Sequence, residues 1–145
     1  MKTSAERAVE DFRSGFSCSQ AVFASFSEAL GLAKPIALKI AQPFGGGIAA
    51  TGSLCGAVSG ALLVIGLKHG RLRPEDAAAK EKTYALVREF IKRFEELHGS
   101  IICRELIGVD ISTPSSHEEA RRRGLFDERC SRFVSEAAEI LEAIL

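Results

Sequence analysis

Ile40-Ala41-Gln42-Pro43-Phe44-Gly45-Gly46-Gly47-Ile48-Ala49-Ala50-Thr51-Gly52-Ser53-Leu54-Cys55-Gly56-Ala57-Val58-Ser59-Gly60-Ala61-Leu62-Leu63-Val64-Ile65-Gly66-Leu67 contains no charged side chain. A run of about 20 apolar residues is long enough to span a bilayer, so length alone permits a membrane helix here. Pro43 and the run Gly45-Gly46-Gly47 break the segment near its start. The continuous helical part is then Ser53–Leu67, about 15 residues, the length of a buried core helix and short for a span. Membrane insertion is therefore not expected. Gly52, Gly56 and Gly60 recur every fourth residue and form a smooth stripe. Each glycine inside a helix costs about 0.5–1 kcal/mol relative to alanine. The stripe makes sense where another backbone, or a cofactor, approaches closely.

Outward from this segment, nearly every stretch has helical periodicity and none alternates like a strand. Thr3-Ser4-Ala5-Glu6 has capping-box spacing, followed by the apolar face Ala5, Ala8, Val9 and Phe12, with Gly15 as a stop. Ser17 caps a second helix ending at Leu30-Gly31. Pro35 opens a short third helix that stops before Pro43. Pro74 to His98 reads as the longest helix, with Tyr84, Val87, Phe90, Ile91, Phe94 and Leu97 on one face and Gly99 as C-cap. Short helices are expected at Ile101–Ile107 and His117–Arg123, separated by a loop at Asp110–Ser116. A last helix runs from Glu128, capped by Asp127, to the C-terminus. Amphipathic helices joined by short connections need an apolar partner, and the Gly-rich segment supplies it. The expected fold is all-α: a compact multi-helix bundle around a buried, Gly-rich apolar central helix, residues 1–145 forming a single helical domain carrying four cysteines.

Composition narrows the functions available. Apolar residues at 46% and charged residues at 26% exclude global disorder. Nineteen Lys+Arg balance nineteen Asp+Glu, so the basic excess of a nucleic-acid binder is missing. The absence of Trp and the single Tyr leave little for a base-stacking platform. Met1–Phe12 carries Lys2, Glu6, Arg7, Glu10 and Asp11 and no apolar export core. The expectation is a cytoplasmic location, where thiols stay reduced.

Against that background the cysteines stand out: Cys18, Cys55, Cys103 and Cys130. No CxxC or short metal-knuckle spacing occurs among them, so any cluster must be assembled by the fold. Their places relative to helix starts are more telling. Ser17 caps a helix in which Cys18 is first, Ser53 one with Cys55 second, Ser100 one with Cys103 third and Asp127 one with Cys130 third. First turns offer free N–H groups and the positive end of the helix dipole, which favour a thiolate. The dipole contributes about 0.3–1 kcal/mol, too little by itself to ionise a thiol at neutral pH. Arg104 and Arg129 adjoin two of the cysteines and would add to it.

Cys55-Gly56-Ala57-Val58-Ser59-Gly60 has the form CGAxxG, between an upstream Cys18 and the downstream Cys103 and Cys130. Phe44-Gly45-Gly46-Gly47 precedes it, and Gly60-Ala61-Leu62, Gly66-Leu67 and Gly70 follow. With these features, from Cys18 to Cys130, the chain resembles the C_GCAxxG_C_C family of four-cysteine proteins. The resemblance implies redox activity resting on the four cysteines, without specifying a reaction.

Other motifs carry less. Gly45-Gly46-Gly47-Ile48-Ala49-Ala50 fits GxGxxG/A but follows no strand and lacks an acidic residue about twenty positions on, so a Rossmann site is not expected. Gly45, Gly46 and Gly47 stay as candidate cofactor-binding residues, since a Gly-rich turn can offer backbone amides to an anion. His69-Gly70 and His98-Gly99 read as cations at helix C-termini, and His117, before Glu118-Glu119, as exposed. Arg121-Arg122-Arg123 is too short a run to argue for nucleic acid.

Three functions remain open. In the first, Cys18, Cys55, Cys103 and Cys130 gather and act in redox chemistry, by thiol–disulfide exchange with an unknown partner protein or by holding an iron–sulfur cluster or, secondarily, a single iron or zinc ion. Three cysteine pairings are possible, with Cys18–Cys55 and Cys103–Cys130 preferred. In the second, the cysteines belong to a non-redox accessory protein that binds a metal or small ligand. In the third, they are inert core residues of a structural interaction domain. A homodimer is compatible with all three.

Overall fold

The computed structural model describes residues 1–145 and contains eight α-helices and no strands. They are α1 (Ser4–Arg13), α2 (Cys18–Ser27), α3 (Lys34–Ala41), α4 (Gly56–His69), α5 (Ala77–His98), α6 (Cys103–Ile107), α7 (Pro114–Arg122) and α8 (Ser131–Ile144). Local signals in the sequence set most of these boundaries. Thr3 forms the expected capping box with Glu6, and Ser17, expected as a cap, forms a capping box with Gln20. Gly31 and Gly99 end their helices in the left-handed conformation. A 3₁₀ turn, Glu28–Leu30, extends α2 to the expected stop, and another, Gln42–Phe44, follows α3.

Several boundaries differ from the sequence expectation. α5 starts at Ala77, because the Asp76 side chain accepts a hydrogen bond from the Ala79 amide and so caps the helix after Pro74. Thr113-Pro114 opens a helix where a loop was expected: Thr113 caps α7 through Ser116, with Pro114 at the first helical position. α4 starts at Gly56, not Ser53, because the backbone of Gly52–Cys55 pairs with Ile101–Arg104 instead of coiling into the helix. Cys55 N–H donates to Ile101 C=O (2.8 Å), Cys103 N–H to Ser53 C=O (2.6 Å) and Arg104 N–H to Gly52 C=O (3.1 Å). Leu54 and Ile102 face each other in this short antiparallel bridge, which the helical pattern did not foretell.

Twenty-nine buried hydrophobic residues form one continuous cluster drawn from every helix. α2 packs against α1, α3, α4 and α8, and α8 packs against α1, α2, α4 and α5. α4 is buried unevenly. Gly56 to Ala61, Val64 and Ile65 are buried, whereas Leu62, Leu63 and Leu67 are half-buried and Gly66 is exposed. α4 therefore shares the interior with α2 and α8, each of which also buries seven residues. No helix is long and apolar enough to cross a membrane.

The proposed glycine stripe divides in two. Gly52 lies outside the helix, while Gly56 and Gly60 face α2. A Cβ at Gly60 would lie 2.8 Å from Ser19 C=O and 3.1 Å from Val22 Cβ, so the stripe serves close helix packing. His98 is another correction. Its ring is packed between Phe94 and Phe133, at 4.6 and 4.9 Å between centroids. Its Nε2 lies 2.5 Å from Glu136 Oε2. Burial lowers its pKa against the opposing pull of Glu136, so it is an interior residue and not a solvated helix-end cation.

Candidate functional site

The four cysteines, three of them at helix beginnings and Cys130 at the end of a π turn, line one cavity of about 480 Å³. Cys18 is the first residue of α2, held by the Ser17–Gln20 capping box. Cys55 is the N-cap of α4, two positions earlier in the helix than expected. Cys103 is the first residue of α6, where the backbone bridge fixes it and Ile102 occupies the cap position. The expected cap, Ser100, instead accepts a hydrogen bond from Ile102 N–H and donates to Glu105.

Cys130 departs furthest from expectation. A π-helical turn, Phe126–Cys130, runs directly into α8, and Asp127 is no cap. The wider turn changes the direction in which Cys130 leaves the helix and holds it on the cavity wall. Ser131 Oγ donates to Asp127 C=O (2.5 Å) within this turn.

Cys55, Cys103 and Cys130 are buried and Cys18 is half-buried; none is in a disulfide. The four sulfurs lie close enough to act on one another's charge, Cys130 on Cys18 most strongly. Cys55 and Cys103 sit one residue beyond Leu54 and Ile102 on the two arms of the bridge. Alternation along the strand places them on the same face as diagonal neighbours. Sequence spacing carries no information about which helix ends meet.

Helix starts do not yield thiolates here. Burial pushes the Cys55 thiol up to about 12, although the amides of Ala57 and Val58 face its sulfur and favour the anion. Burial also pushes Cys103 up to about 12, with the Cys55 and Cys130 sulfurs adding to the rise and Arg104 opposing it weakly. Cys18 is raised well above the usual thiol range, first by the neighbouring Cys130 thiol and then by burial. Losing water costs a thiolate more than the end of a helix returns. Arg129 gives its guanidinium to the Ile107 carbonyl.

Gly46 and Gly47 line the same cavity, and Gly45 packs against Ser17. They begin an unusual left-handed turn: φ is positive at Gly46, Gly47, Ile48, Ala49 and Ala50 in succession. Each non-glycine residue held there costs roughly 1–2 kcal/mol. The turn is fixed by Ala49 N–H to Pro43 C=O (2.9 Å), Gly52 N–H to Gly46 C=O (3.1 Å) and Ser53 N–H to Gly47 C=O (2.7 Å). The amides of Gly45 and of Ile48 through Ser53 donate to backbone carbonyls, whereas those of Gly46 and Gly47 have no protein acceptor. The turn also has a steric use. A Cβ at Gly47 would stand 2.6 Å from Cys103 Cβ.

The cavity also contains residues that the sequence reading passed over. His117 is half-buried, not exposed, and its ring lies 4.9 Å from that of Phe126. Arg121, one turn later on α7, lines the cavity too. Their i, i+4 spacing was a legible signal that the two share a face. Phe12, Phe16 and Phe133 supply apolar wall.

Four thiols are the donor type of an iron–sulfur cluster. No group of three or more His, Cys, Asp or Glu side chains is arranged to hold a metal ion, however. The residues as placed do not fit a single iron or zinc ion, and no metal-dependent step is derived for this cavity.

No curated protein and no solved structure matches the chain. The family model described as "Putative redox-active protein (C_GCAxxG_C_C)" matches residues 16–144, which include all four cysteines and the left-handed turn. The chain belongs to the C_GCAxxG_C_C family.

Proposed function

We propose that the protein carries out thiol–disulfide exchange, with Cys18 as the attacking thiol and Cys130 as the resolving one. The reading is carried by Cys18 being the one cysteine partly open to solvent, with Cys130 the thiol that acts on it most strongly. In the first step the Cys18 thiolate attacks one sulfur of a disulfide, a new S–S bond forms, and the other sulfur leaves as a thiolate. Cys130, deprotonated in turn, attacks Cys18 Sγ and expels the bound half. The two thiol protons end on the two released thiols. The protein dithiol loses two electrons and the disulfide gains two. Cys55 and Cys103 stay protonated behind this pair and keep its surroundings dry.

The raised Cys18 thiol makes exchange slow at neutral pH and faster as pH rises. The test is to reduce the protein anaerobically, treat it with one equivalent of a small disulfide, and map the products by mass spectrometry. A Cys18–Cys130 disulfide is expected, with a mixed disulfide accumulating on Cys18 in C130S and exchange falling at least about 100-fold in C18S. Label on Cys55 or Cys103 in C130S would overturn the assignment. So would stoichiometric iron and acid-labile sulfide, in untagged protein, that each Cys→Ser change releases.

A further inference from the structure

We infer that the disulfide this cavity receives is a small molecule bearing a carboxylate, rather than a disulfide on another protein. The inference rests on the thiol-exchange reading. Three of the four thiols are buried at a cavity of about 480 Å³. That volume lies within the range of small-ligand sites, roughly 300–1,000 Å³. A disulfide on a folded protein reaches only as far as that protein's own surface allows, whereas a small disulfide can enter whole.

The charge of the lining points to an anion. The chain has nineteen Asp and Glu residues, yet none lines this cavity, while Arg121 and His117 do. A guanidinium matches a carboxylate with two parallel hydrogen bonds. Arg121 is engaged only loosely, with Glu118 Oε2 3.8 Å from its Nε and both side chains more than half exposed. Such a pair is screened and weak, so it gives way to an incoming carboxylate. The phenylalanine walls suit the methylenes between the carboxylate and the sulfur.

The experiment follows loss of free thiols in the reduced full-length protein at pH 8 and low ionic strength. Three probes differ in charge: dithiodiglycolate (anionic), hydroxyethyl disulfide (neutral) and cystamine (cationic). Each rate is divided by that of mercaptoethanol with the same probe. The anionic probe is expected to exceed the neutral one by about tenfold, with cystamine slowest. R121Q brings the anionic-to-neutral ratio close to one and R121K restores it. A ratio indifferent to R121Q, equal rates for all three probes, or faster oxidation by insulin than by any of them overturns the small-anion inference and leaves thiol exchange standing. No oxidation by any probe, even at pH 9, overturns both.

Discussion

Cys18 and Cys130 stand on helical backbone, one in a capping box and the other at the end of a π turn that continues into α8. Cys55 and Cys103 stand on a backbone that is barely helical where they sit, tied by an antiparallel bridge and flanked by five successive left-handed residues. The helical pair includes the thiol that meets solvent; the bridged pair is wholly buried. The reactive thiol is thus carried by an element that forms through local interactions. The dry, protonated floor behind it requires a costly conformation that only surrounding packing and hydrogen bonds sustain.

The contrast breaks most readily at Gly47. G47A introduces a side chain at φ +71° that meets Cys103 Cβ at 2.6 Å and Ser53 N at 2.7 Å. The bridge and the turn must separate, so a loss of about 3 kcal/mol or more is expected, roughly 10 °C in Tm. A thermal midpoint within a few degrees of wild type would show that the bridged region is softer than its geometry implies.

Alkaline pH probes the same pair without mutation. The Cys55 and Cys103 thiols titrate at about 12 in the fold but near 9 or below when unfolded. Between those values the unfolded chain has lost protons that the native one retains, so stability falls as pH rises from about 9 toward 12. The loss reaches about 2 kcal/mol per thiol by pH 10.5. Denaturant unfolding at a series of pH values should show this slope, and C103S should flatten it whatever its absolute stability. Equal slopes in the two proteins would mean that Cys103 is not held protonated by burial.

The helical side should yield less. G60A places a methyl 2.8 Å from Ser19 C=O, forcing α4 away from α2 at a cost of about 1–3 kcal/mol. The gain in helix propensity offsets about 1 kcal/mol of that. A net loss of up to about 2 kcal/mol in chemical denaturation is expected. A stabilised G60A would mean that the two helices have room to spare.

The legible parts of the molecule are those written in local code. Thr3 with Glu6, Ser17 with Gln20, Gly31 and Gly99 mark helix ends because caps and stops act within a few residues. The segment from Ile40 to Leu67 was rightly broken at Pro43 and the glycines. Its continuation as helix from Ser53 was wrong, because the competing partner of Gly52–Cys55, Ile101–Arg104, lies almost fifty residues away. Likewise Asp127 looked like a cap for Cys130, and nothing local announced that the helix would begin earlier and widen into a π turn. His117 and Arg121 were readable as one helix face, but not as a face turned toward the thiols.

Sequence by itself determined an all-α chain, the positions of most helix ends, and three of the four cysteines at or near helix starts, since caps, glycine stops and apolar periodicity are short-range physics. Tertiary structure alone decided that the four thiols share one cavity, that α7 adds a histidine and an arginine to it, and that Cys18, Cys55 and Cys103 are held protonated. Pairing across the chain depends on which helix faces exclude water together, and the cost of a buried charge exists only once that exclusion has happened.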